Sequence, residues 1–208
     1  MINRDNIAIY DLDGTLIPFN SFKYWLLYSF VVSLFFFRID YNWLIIKIIT
    51  QRMLGKTDRI GFKEKIMNFH EQNNSFVRHC NTSFASFLKR RTKNDLLDKG
   101  KKMVLATAAP DCYVKYYVMK MNCFENYSAS SILNGVLVEN MGERKLQSVI
   151  QTLENDINNA ILYTDHSDDI PLAKQVSQVF LLAPTNTTKN DYESAKISFS
   201  VFNCSSDN

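Results

Sequence analysis

Two aspartates one residue apart, Asp11 and Asp13, close the apolar run at the start of IAIYDLDGTLIPFN, and Gly14 and Thr15 follow at once. Like charges at the end of a buried strand are opposed by repulsion and by desolvation, so the pair calls for something that offsets both. In extended chain, residues two apart face the same way, so both carboxylates point into one space. One can attack an electrophile while the other carries protons. Gly14 permits the turn that brings them there. Three later stretches carry matching chemistry: Thr107 in LATAAP, Lys145 in GERK, and Asp165, Asp168 and Asp169 in YTDHSDD. The Thr107 hydroxyl, with backbone N–H groups nearby such as that of Ala108, can hold a phosphate oxygen. Lys145 falls in the first turn of a helix, a poor place for a cation beside the helix dipole unless it faces an anion. Taken singly, each has a plainer reading: a capping acid pair, a strand-end hydroxyl, a solvated lysine, and an N-cap with a first-turn acid for Asp165 and Asp169. His166 reads as a histidine in the wall of a crevice rather than a proton carrier. His70, His79 and the cysteines show no metal-ligand spacing.

What must position these residues is a set of short apolar strands. NIAIYD, residues 103–106 in KKMVLATAAP, NAILYTD, VFLLAP and KISFSVFN read as strands, and SSILNGVLVEN as a hairpin turning at Asn134-Gly135. DCYVKYYVMKM, GERKLQSVIQTLEND and IPLAKQVSQ read as helices between them. This alternation predicts an α/β fold, a three-layer Rossmann-like parallel sheet covered on both faces. Ligands in such sheets sit outside the carboxyl ends of the strands. Asp11, Asp13, Thr107, Asp165, Asp168 and Asp169 are therefore expected in one crevice. Five carboxylates there require a hard cation with oxygen ligands, and Mg²⁺ is the natural one.

Residues 19–94 carry almost no turn punctuation and read as helical, too long for a plain crossover. They predict an inserted, mostly helical cap domain over 17–95, with the core built from 1–16 and 96–208. Residues 24–37, YWLLYSFVVSLFFF, form an uncharged run of 14. A packed helix, an interfacial membrane helix and a span are the three readings; runs of this length are more often packed or interfacial than spanning. The chain's net charge of +3 hides an asymmetry: residues 47–102 hold 14 Lys and Arg against 5 Asp and Glu, and the rest is acidic. The surplus is either a solvated face or a surface for phosphate-bearing substrates or anionic lipid. Arg52, Lys56, Arg59 and Lys63 are expected to be solvated.

DLDGTL, LATAAP, GERK and YTDHSDDIPL stand in the order and placement of the four motifs of the haloacid dehalogenase-like (HAD) phosphohydrolases, and the chain resembles that family over its whole length. The hairpin before the lysine is similar to the branch that holds phosphoserine phosphatase and phosphatidylglycerophosphatase C. The resemblance implies that Asp11 is the nucleophile and Asp13 the general acid and base. It also implies that Thr107 and Lys145 bind the transferring phosphoryl group, and that Asp165 holds Mg²⁺ with the Asp11 carboxylate and the Asp13 carbonyl. Asp169 completes the metal site directly or through water, while Asp168 stands where many relatives have asparagine. Dehalogenases lack an acid at the Asp13 position, so its presence favours phosphate ester hydrolysis. Phosphoserine phosphatases carry a glutamate nine positions after the nucleophile, where this chain has Asn20. With an aromatic, basic cap, that leans toward a substrate with an apolar or lipid portion.

The expectation is thus a Mg²⁺-dependent phosphatase acting on a phosphorylated small molecule or lipid phosphate, with no nucleic acid partner. Two rivals stand beside it: a lipid-phosphate enzyme or phosphotransferase docked on the inner membrane surface through the cap, and a catalytically inactive scaffold. The amino terminus shows no signal peptide. Cys80, Cys112, Cys123 and Cys204 read as free thiols of a cytoplasmic protein, peripheral to the membrane under the first rival.

Overall fold

The computed structural model describes residues 7–71, 74–153 and 156–202. Strand β1 (Ile7–Tyr10) lies between β2 (Lys102–Pro110) and β5 (Ala160–Thr164), parallel to both. The full sheet runs β4-β3-β2-β1-β5-β6-β7, with β3 (Phe124–Leu133), β4 (Val136–Val138), β6 (Gln178–Leu182) and β7 (Ser200–Phe202). Every pairing is parallel except the β3–β4 hairpin, where Asn134 and Gly135 both take positive φ, as a two-residue hairpin turn demands.

Side-chain alternation along the strands splits the core into two layers of packing. Ile7, Ile9, Val104 and Ala106 face one side, against Val149 and Leu153 of α6 (Glu143–Leu153), Leu172 and Tyr192. Ala8, Tyr10, Met103 and Leu105 face the other, against Tyr113 and Tyr117 of α5 (Asp111–Met121). Between β1 and β2 lie α1 (Ser21–Phe35), α2 (Ile39–Met53), α3 (Arg59–His70) and α4 (Ser75–Arg91). These helices share the second core layer: Trp25, Tyr41, Phe76 and Phe84 belong to the same buried cluster as Tyr10 and Leu105. Asn20, Asp58 and Asn74 cap three of them through side-chain oxygens that accept backbone N–H bonds.

The structure departs from the sequence expectations in four places. The second strand runs past 103–106 to Pro110, with a register shift between Ala106 and Pro110. β3 starts well before the hairpin, at Phe124. IPLAKQVSQ forms only a short α7 (Ile170–Ala173), since the chain must reach β6 at Gln178, and Ser177 N–H already bonds the Ala160 carbonyl. Helix α8 (Asn186–Ser194), capped by Thr185, has no counterpart in the sequence reading. Cys80, Cys112 and Cys123 carry no disulfide, and Cys204 lies outside the described residues. Among the described residues, no helix is long and apolar enough to cross a membrane.

Candidate active site

β1 sits at the point where strand order reverses, so the chain leaves it over the crevice between the strands that follow on either side. Asp11 keeps the pairing one residue past the strand, its N–H donating to the Tyr163 carbonyl at 2.9 Å. The chain then closes on itself: Ile17 N–H bonds the Leu12 carbonyl at 3.0 Å, and Gly14 turns at φ +77°. That turn lies against Asp165 at the end of β5. A Cβ at Gly14 would stand 2.0 Å from Asp165 Oδ2, so any other residue there displaces the Asp165 carboxylate. Thr15 Oγ1 donates to Asp165 Oδ1 at 3.3 Å and ties the contact.

Lys145, 3% exposed, reaches in from the first turn of α6. Its Nζ donates to Asp11 Oδ1 at 2.8 Å and to both oxygens of Asp169, at 2.7 and 2.9 Å. Thr164 Oγ1 adds a bond to Asp169 Oδ2 at 2.7 Å. The cation that a helix N-terminus disfavours is thus held by two buried carboxylates. Burial pulls the Lys145 ammonium down, but Asp11 and Asp169 outweigh it and raise it above its ordinary range. Burial drives the Asp11 carboxyl up, against the pull of Lys145 and with Asp169 and Asp165 adding to the rise. Asp13 is pushed up to about 6, chiefly by burial, with Ser21 hydrogen bonding opposing it, and its Oδ1 is buried without a hydrogen-bond partner. Burial also raises Asp165.

These groups open on a cavity of about 390 Å³ lined by Asp11, Asp13, Gly14, Ala108, Lys145, Asp165, His166, Asp168 and Asp169. Phe19, Asn20, Arg59 and Met141 line it too. The five expected carboxylates therefore do share one crevice. Thr107 does not line it. It is 1% exposed, and its hydroxyl accepts the Ala109 N–H at 3.1 Å; Ala108 lines the cavity instead. Asp168 lies on the exposed rim, where its N–H donates to His166 Nδ1 at 3.2 Å.

The oxygen donors suit a hard cation. Among the described residues no three acidic, histidine or cysteine side chains converge as a ready metal cluster. Asp169 is turned to Lys145 and Thr164. Two carboxylates, Asp11 and Asp165, remain beside the Gly14 turn. Mg²⁺ is ordinarily held by one or two carboxylates with water and substrate phosphate, so the donor set fits that ion.

Sequence reasoning missed the groups that brace the Thr107–Ala109 segment. Buried Asn140 donates from Nδ2 to the Thr107 carbonyl and to Ser128 Oγ, both at 3.0 Å, and accepts from Ser148. Ser130 Oγ and Lys63 Nζ both donate to the Ala108 carbonyl, at 2.7 and 2.9 Å. Lys63, expected to be solvated, is buried and paired with Glu139 at 2.8 Å; Arg59 pairs with the same carboxylate at 2.7 Å. Burial lowers Lys63 and Glu139 partly restores it. The only sequence signal for this brace was composition, a polar stretch before GERK, and composition does not say which strand a side chain will reach.

Gly14→Ala is expected to separate Asp165 from the Asp11 turn. The positive φ alone costs about 1 kcal/mol or more, and the 2.0 Å overlap adds to it. Thermal melts should show a moderate loss of stability.

A family model described as haloacid dehalogenase-like hydrolase matches residues 8–174. Among solved structures, a protein of unknown function from Bordetella pertussis Tohama I aligns with a TM-score of 0.59 at 14% identity, over 93% of this chain and 96% of its own. A phosphoserine phosphohydrolase-like protein from Francisella tularensis subsp. tularensis SCHU S4 aligns at 0.53 and 16% identity, over 95% and 94%. A phosphoserine phosphatase in a phospho-aspartyl intermediate analogue aligns at 0.52 and 13%, over 96% and 94%. At these identities the likeness is one of fold. No curated protein matches the chain by sequence.

Proposed function

Because the chain belongs to the haloacid dehalogenase-like hydrolase family, we propose that it is a Mg²⁺-dependent phosphatase that hydrolyses a phosphate monoester through an aspartyl-phosphate on Asp11. The observation that carries this reading is the Lys145 ammonium bridging Asp11 and Asp169 in the cavity that Asp13 also lines.

In the proposed reaction an Asp11 carboxylate oxygen attacks phosphorus and the bond to the ester oxygen breaks. Asp13, with a titration point near 6, gives its proton to the departing alcohol. The Asp13 carboxylate then takes a proton from water as that water attacks the phospho-aspartate, which releases phosphate and restores Asp11. Lys145 orients Asp11 and offsets the charge of the phosphoryl oxygens. Asp169 holds Lys145 in place. The Ala108 backbone and the Gly14 turn border the phosphoryl position, and Thr107 shapes that border through its bond to Ala109 N–H. Asp11, Asp165 and the Asp13 carbonyl are the groups to hold Mg²⁺, with Asp169 reaching it at most through water. When bound, Mg²⁺ neutralises phosphate charge and holds the phosphoryl group in line.

Residues 17–95 are assigned as the cap that sets substrate choice, on a core of 1–16 and 96–208. Phe19 and Met141 in the cavity lining support an ester whose alcohol has an apolar portion. The Asn20 oxygen is spent on the Lys23 N–H at 3.1 Å and offers no charge to a substrate ammonium group. A screen of sugar phosphates, phospho-amino acids and lipid phosphates, run with Mg²⁺ and with EDTA, tests the reading. Metal-dependent release of phosphate is expected, best from esters of apolar alcohols; equal turnover in EDTA would count against it.

A further inference from the structure

We propose that the outward faces of α1 and α2, with the turn between them, dock on the surface of an anionic lipid bilayer. Helix α1 is built inside out for a helix facing water. Its buried stripe is Ser21, Trp25, Ser29 and Ser33, and its exposed positions include Leu27, Val31, Leu34 and Phe35. Two of the three serines are used internally: Ser21 bonds the Tyr113 hydroxyl at 2.7 Å, and Ser33 bonds Asn42 of α2 and the Phe30 carbonyl. α2 continues the pattern, with Ile39, Trp43, Ile46 and Met53 outward. At the turn Phe35 is 78% exposed and Phe37 85%, and Trp43 on α2 is 70% exposed. Apolar surface gathered like this on two packed helices marks a contact face rather than the scatter of a solvated surface.

Charge selects the occupant. Residues 21–57 carry five cations, Lys23, Arg38, Lys47, Arg52 and Lys56, against one acid, Asp40. That acid is already paired with Arg38, Nε to Oδ1 at 2.8 Å, while the other four cations are exposed. A second copy presenting the same face would meet like charge. A layer of anionic headgroups complements it, with apolar side chains entering the acyl boundary and Tyr24 and Trp43 suited to the water–lipid interface. Each helix has 15 residues, about 22 Å of length, so the pair lies on the bilayer and does not cross it. The turn end of the face, where the most exposed aromatics sit, stands apart from the chemistry, since Phe35 ends α1 about 22 Å along the axis from Asn20 at the cavity.

The test is flotation with vesicles of phosphatidylcholine alone and of phosphatidylcholine with phosphatidylglycerol. Binding is expected to the anionic vesicles only, weakened by salt, with a blue shift of tryptophan emission. The triple variant Phe35→Ser, Phe37→Ser, Trp43→Ser should lower partitioning by roughly a hundredfold. So should Lys47→Glu, Arg52→Glu, Lys56→Glu, which keeps the apolar face. Both sets are exposed, so unchanged circular dichroism and unchanged hydrolysis of a soluble phosphate ester are expected. The proposal is overturned by no binding, by equal binding to both vesicles, or by equal binding of parent and variants. A dimer that the apolar triple variant dissociates, seen by sedimentation without vesicles, would assign the face to a second copy instead. None of these outcomes bears on hydrolysis at Asp11, which is measured without lipid.

Discussion

Lys145→Met is expected to lower kcat by about a thousandfold and to destabilise the protein as well. The methionine fills much of the same space, so the loss is one of charge rather than volume. In the parent, one buried ammonium serves Asp11 and Asp169 at 2.7–2.9 Å. Without it two buried carboxylates face each other unpaired, and breaking a buried pair costs about 3–5 kcal/mol. Protonation of Asp11, whose carboxyl burial already raises, recovers part of that cost but removes the proposed nucleophile. A positioned cation on developing charge is worth roughly 10²–10³ in rate, and misplacement of Asp11 compounds it. Lys145→Arg should fail as well, because a planar guanidinium cannot present one point charge to both acids in the same buried space. Urea denaturation and steady-state kinetics check both halves. Activity within tenfold of the parent would leave Lys145 without the assigned role.

Asp13→Asn is expected to move activity and stability in opposite directions. For esters of ordinary alcohols the departing oxygen needs a proton, and loss of a general acid costs about 10²–10⁴ in rate. p-Nitrophenol leaves readily as an anion, so its first turnover should survive better. In the proposed reaction the following step uses Asp13 as a base, so phospho-enzyme should accumulate as a burst. The thermodynamic half follows from the raised titration point of Asp13, about 6 against 3.8. Between these values the unfolded chain has given up the proton and the folded protein has kept it, so this group's contribution makes metal-free stability fall as pH rises through that window. Asparagine carries no such penalty. At neutral pH the metal-free variant should be more stable than the parent by up to about 3 kcal/mol, a gain that vanishes below about pH 4. Thermal melts across pH, in EDTA, read it directly.

The parts of the fold that were legible in sequence are those governed by local pattern. β1 shows because four apolar residues end at an acid and a glycine turn, and the β3–β4 hairpin because Asn134-Gly135 suits two positive φ values. The shared crevice followed from three strands ending in polar residues, since parallel neighbours in a sheet bring their carboxyl ends together. What sequence could not convey is long-range pairing. Lys63 looked like one more cation of a basic stretch, but it is buried because Glu139, 76 residues away, and the Ala108 carbonyl meet it. The sequence position of Thr107 points to the crevice, but the hydroxyl is spent on the Ala109 N–H and Ala108 lines the cavity. In α1 Ser21 and Ser33, which a hydropathy reading would turn to solvent, face inward because Tyr113 and Asn42 satisfy them.

The claim that Asp11 is the nucleophile is tested most directly by trapping the intermediate. The protein, with Mg²⁺ and a hydrolysed phosphate ester, is quenched in acid and its peptides are analysed by mass spectrometry after borohydride reduction, which converts an acyl-phosphate aspartate to homoserine. The account predicts the reduced residue at Asp11, with Asp13 unmodified, and neither label nor turnover in Asp11→Asn. Steady turnover in Asp11→Asn, or a label on any other residue, would contradict it.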